Sequence, residues 1–160
     1  MKNYKNKIVL GVIILAVFAI GLFVGFGIGY KMTADPLNSM RTLILVASQG
    51  EITAGEYLNA NHEEAKAALL NYISFLDDLK SKGLIEKEKY LGARVYYYDR
   101  GLSYGRLALL EEKVGNTAEA KINMQEASKM FQMVGWKDYS EAKIRYFVER
   151  LDKKWEYKDK

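Results

Sequence analysis

Residues Ile8 to Tyr30 run for 23 positions without one charged or strongly polar side chain. As a helix this segment reaches about 35 Å, beyond the roughly 30 Å hydrocarbon core of a bilayer. A buried helix of a globular domain keeps some polar face, whereas this one is apolar all round. The run therefore predicts a transmembrane helix over 8–30, in contact with membrane lipid. A cleaved signal peptide is the competing reading, and Gly27-Ile28-Gly29 imitates its small-x-small site. Its apolar region usually spans only about 7–15 residues, so the length favours a retained anchor. Lys2, Lys5 and Lys7 precede the run, while Lys31 stands alone on the far side until Arg41. That asymmetry predicts a single pass through the cytoplasmic membrane, with a basic tail 1–7 inside and the rest periplasmic or extracellular. Gly21, Gly25 and Gly29 fall on one face at four-residue spacing. Such a face lets two membrane helices approach closely, in a homo-oligomer or a larger complex. Glycine is also simply common in membrane helices. Gly25-Phe26-Gly27-Ile28-Gly29 follows no strand and lacks the context of a nucleotide-binding loop.

Composition narrows the rest. The chain holds no Cys, which removes disulfide frameworks, zinc ribbons and thiol nucleophiles. A single histidine, His62, argues against a Ser-His-Asp site and a multi-His metal centre. Lys and Arg number 24 against 20 Asp and Glu, and without the three N-terminal lysines the balance is 21 against 20. No basic footprint for nucleic acid remains. The expectation is a non-enzyme with no cofactor and no metal.

Beyond Lys31 the 3.6-residue period dominates and no long alternation argues for a sheet. The spacing predicts helices over 36–49, 61–82, 86–114, 116–133 and 138–157. Asp35-Pro36 opens the first and Gly50 closes it. Thr53 with Glu56 fits a capping box, predicting a short helical turn between 51 and 60. Asn61, Asn116 and Asp138 each stand three residues before a Glu, which marks three further starts. Gly83, Gly115 and Gly135 mark the stops. Asp99-Arg100-Gly101 predicts a bend within 86–114. Short connections predict antiparallel neighbours.

From Gly101 to Val134 the chain resembles a tetratricopeptide repeat (TPR), a helix–turn–helix unit of about 34 residues. Tyr104, Leu107 and Ala108 match its first helix, Gly115 its turn, and Ala120, Met124 and Ala127 its second helix. Two places depart from the pattern: Glu111 stands where Tyr is usual and Gln132 where Pro ends the unit. A looser copy places Leu70, Ile73, Ser74, Tyr90 and Ala93 34 residues earlier. The last helix reads as a cap, amphipathic through Ile144, Phe147, Val148 and Leu151. The expected organisation is all-α: a basic tail 1–7, a transmembrane helix 8–30, a connecting helix and linker 31–60, and an antiparallel, TPR-like domain 61–160.

The resemblance implies a concave groove lined by the first helices of each pair. In this register its places are Tyr98, Leu102, Gly105 and Leu109, with Arg94 and Arg106 nearby. Aromatic anchors beside arginine suit protein recognition. A core stripe is the plainer reading for Tyr90, Tyr97 and Tyr104, which recur every seven residues. His62 reads as a solvated helix start, and Glu86, Glu88, Glu111 and Glu112, among lysines, read as surface charges. Trp136 is expected to pack over a helix end, and Trp155 to be a partner anchor. The functional expectation is a membrane-anchored scaffold or assembly factor for other envelope proteins. Its alternatives are a structural subunit packed through the transmembrane glycines and, remotely, an envelope enzyme.

Overall fold

The computed structural model describes residues 40–85 and 92–156, all within one compact unit. Helix α1 covers residues 40–59 of the described part, followed by α2 (His62–Ser81), α3 (Ala93–Lys113), α4 (Thr117–Val134) and α5 (Glu141–Glu156). No strand occurs among the described residues. The all-helical expectation stands, but the fold class as expected needs correction. No helix among the described residues is long and apolar enough to cross a membrane. The expected transmembrane helix over 8–30, with Gly21, Gly25 and Gly29, lies outside the described residues, as do Glu86, Glu88 and Tyr90.

The helix ends follow local chemistry. The Asn61 side chain accepts from the Glu64 amide at 3.0 Å, which satisfies one of the free N–H groups opening α2. Gly83, Gly115 and Gly135 adopt φ of 66°, 79° and 85°, the left-handed conformation that ends a helix cheaply only at glycine. Two expected caps work differently. Asn116 makes no side-chain cap, and its amide donates instead to Glu111 Oε2 at 2.8 Å. Asp138 accepts from the Ser140 amide at 3.0 Å in the turn before α5.

Gly50, expected to close a helix, and Gly101, expected to lie in a bend, both stand inside continuous helices. Helix α1 continues through Gly50, and Thr53 sits inside it, buried, where a capping box was expected. A Cβ on Gly50 would lie 3.0 Å from the Tyr72 hydroxyl, so glycine there permits close approach of α1 and α2. Helix α3 likewise continues through Gly101, where a Cβ would lie 3.2 Å from the Phe131 ring.

Three apolar clusters form the interior. Val46 joins Tyr72, Leu76, Leu79, Ile85 and Tyr96. Tyr57 joins Ala65, Leu69, Ile73, Leu107 and Leu110. Ala108, Met124, Ala127, Phe131, Ile144 and Val148 form the third. Val46 meets late α2 while Tyr57 meets early α2, so α1 and α2 run antiparallel. Tyr96 donates to Asp77, and Gly101 faces Phe131, which gives the same sense to α2/α3 and α3/α4. Helix α3 touches α2, α4 and α5, most extensively α4. Ala108, Ala120 and Ala127 are almost wholly buried, their small side chains admitting the bulk of Met124 and Phe131.

Candidate functional site

The structure distributes the expected groove residues unevenly. Arg94 is exposed. Tyr98, Leu102 and Leu109 are half-buried and packed against the third cluster. Helix α5 occupies this face of α3. A Cβ on Gly105 would lie 2.9 Å from Val148 and 3.3 Å from Ile144, so the absence of a side chain there is what lets α5 settle. Tyr98 meets both Phe131 and Phe147 edge-on, with centroids 6.0 and 5.8 Å apart. Trp136 stacks on Phe131 at 4.2 Å, over the end of α4 as expected. The chain's own last helix thus fills the trough where a ligand was expected.

Arg106 is the deepest of the group. Its Nε and Nη2 donate to Asp152 Oδ1 at 3.0 and 2.7 Å, and its guanidinium lies 5.3 Å from the Tyr57 ring centre. Burial drives the Asp152 carboxyl above its usual range against the pull of Arg106, and burial likewise raises the Tyr57 phenol. This pair ties α5 to α3 beneath α1. It is a structural clamp, not a free recognition arginine.

The carboxylates expected on the surface divide. Glu112 binds Arg145 across the α3/α5 contact. Glu111 is 1% exposed and pairs with Lys66 at 2.8 Å, while His62 Nε2 stands 3.7 Å away. His62 is accordingly half-buried, with Nδ1 against Glu63 at 3.0 Å, and is not a solvated helix start. The sequence carried one hint: Glu111 occupies a place where the resembled repeat wants a large buried side chain.

The Lys66 hydrogen bond holds the Glu111 carboxyl below its usual range, against a burial that would raise it, and the Asn116 amide helps. Because the folded pKa is lowered, this stabilisation is complete above the unfolded carboxyl pKa and is lost as pH falls through the folded one. Glu111→Gln is expected to cost about 1–2 kcal/mol at pH 7. Thermal unfolding followed by circular dichroism from pH 7 to 3 should show its deficit against the native chain shrinking towards acid. A deficit independent of pH would mean that the carboxylate charge contributes nothing.

Among the described residues the exposed large apolar side chains are most concentrated on α1. Met40, Ile44, Leu45 and Ile52 are 61%, 56%, 53% and 55% exposed, and Leu43 adds to the same end. Val46, Thr53, Ala54 and Tyr57 hold the opposite side of that helix in the core. Helix α1 therefore carries large apolar side chains on its outer as well as its inner side, among exposed Arg41, Ser48, Glu51 and Glu56. No group of three or more His, Asp or Glu side chains that could hold a metal occurs among the described residues. No family model, curated protein or solved structure matches the chain.

Proposed function

We propose that the chain is a protein–protein interaction scaffold that holds its partner against the outer face of α1. One observation carries this reading: large apolar side chains project into water from a helix whose other side is already buried. Contiguous exposed apolar surface of this kind marks interaction sites on folded proteins. Arg41 and Glu51, both exposed, flank the patch and give its rim a polar character. The partner is accordingly a protein presenting an apolar helix face.

A photoreactive phenylalanine analogue placed at Ile52 in the full chain tests it. Irradiation should give an adduct with another polypeptide, and the same probe at exposed Lys121 on α4 should give none. Adding Ile44→Lys to the Ile52 probe should reduce the adduct at least about tenfold, since a charge at the centre of an apolar contact is desolvated without a partner. Equal capture at Lys121, or capture indifferent to Ile44→Lys, would overturn the reading.

A further inference from the structure

Residues of helices α1, α2, α3 and α5 line a cavity of about 190 Å³ that opens to solvent beside Ala47 and Glu51. An apolar cavity of about 150 Å³ accommodates a six-carbon ring, so this one takes a ligand of similar or slightly larger size. Its lining carries more negative than positive charge. Asp99 and Glu51 contribute carboxylates, and the one cation, Arg106, is already bound to Asp152. Asp99 Oδ2 accepts from the Tyr72 hydroxyl at 2.9 Å. Among the described residues no lysine or arginine nitrogen comes within 4.0 Å of the Asp99 carboxylate. Thr53 lines the same cavity, is 2% exposed, and its Oγ1 has no hydrogen-bond partner among the described residues. Val46, Ala54 and Leu102 make the remaining wall apolar.

An unpaired carboxylate and an orphaned hydroxyl beside an apolar wall are costly unless something occupies the space. Burial indeed raises the Asp99 carboxyl above its usual range, against the Tyr72 hydrogen bond and the more distant attraction of Arg106. The carboxylate count around the cavity is too low for a metal ion, and the apolar wall suits carbon. We propose that this cavity binds a small primary alkylammonium compound, its ammonium head paired with Asp99 and Thr53 and its chain lying against Val46, Ala54 and Leu102. The cavity and the α1 outer face share only Glu51 at their margins, and neither test touches that residue, so either reading can fail without the other.

The test uses the full chain with n-butylammonium chloride as the probe, sodium chloride as the ionic control and n-butanol as the neutral analogue. Thermal unfolding temperature should rise saturably with n-butylammonium, with a midpoint on the order of 1 mM, which a ligand of this size can reach. Neither control should reproduce the rise. Asp99→Asn should raise that midpoint at least about tenfold, as loss of a charge-assisted contact does. Its unfolding temperature without ligand should equal or exceed that of the native chain, because a desolvated charge has gone. Thr53→Val, which puts a methyl where the orphaned hydroxyl stands, should weaken binding without loss of helicity. No saturable shift in the native chain, an equal shift with n-butanol, or a midpoint unchanged in both variants would overturn the proposal.

Discussion

Arg106→Met is expected to destabilise the domain by about 3–5 kcal/mol, because it strips the buried Asp152 carboxyl of the guanidinium that makes both of its bonds to α3. The Asp152 side chain is only 12% exposed and both guanidinium bonds end on its Oδ1, so little water can replace them. An exposed pair would behave differently, typically losing no more than about 1 kcal/mol. Urea unfolding monitored by circular dichroism reads the loss as a lower midpoint at constant slope. The double variant Arg106→Met with Asp152→Leu should recover most of it, since an apolar pair of similar volume leaves no charge behind. A loss below about 1 kcal/mol in the single variant would mean that the clamp is screened by solvent.

Phe131→Ala carries an expected loss of similar size, about 3–5 kcal/mol, from removed burial and the cavity left behind. Phe131 is fully buried where Tyr98, Trp136 and Phe147 converge, with centroids 6.0, 4.2 and 6.1 Å away. Its neighbours come from three directions and cannot all collapse inward. Near-ultraviolet circular dichroism should weaken together with stability, because Trp136 loses the ring it stacks on. Phe131→Leu should cost less than half as much, since it retains most of the volume. If the alanine variant lost less than the leucine one, this aromatic cluster would not be the anchor of α5.

The glycines show what the sequence made legible and what it did not. Gly83, Gly115 and Gly135 were readable as stops because their role is local: each turns the chain left-handed after an apolar stripe ends. Gly50, Gly101 and Gly105 have the same composition cue and the opposite role. Each removes a side chain where a distant residue arrives, Tyr72, Phe131 or Val148. Proximity of that kind is tertiary and has no periodic signature. The same distinction explains Thr53, whose spacing to Glu56 imitates a cap while burial places it on a cavity wall. Asp99, read from sequence only as part of a bend, supplies a carboxylate to that cavity. The outer face of α1 also escaped notice, because the helix was expected to end at Gly50, short of Ile52. Tyr98, Leu102 and Leu109 pack against the third cluster, and periodicity within one helix cannot say that a later helix of the same chain lies there.

That α5 comes last has a consequence for synthesis. Helices α3 and α4 emerge from the ribosome before α5, and translation at roughly 5–20 residues per second leaves an interval of seconds before residues 141–156 follow. During it Tyr98 and the seat at Gly105 lack the cover that Ile144, Phe147 and Val148 give. A nascent chain paused once α4 has cleared the ribosome but α5 has not displays this uncovered aromatic face, so chaperone capture should concentrate on pauses in that interval.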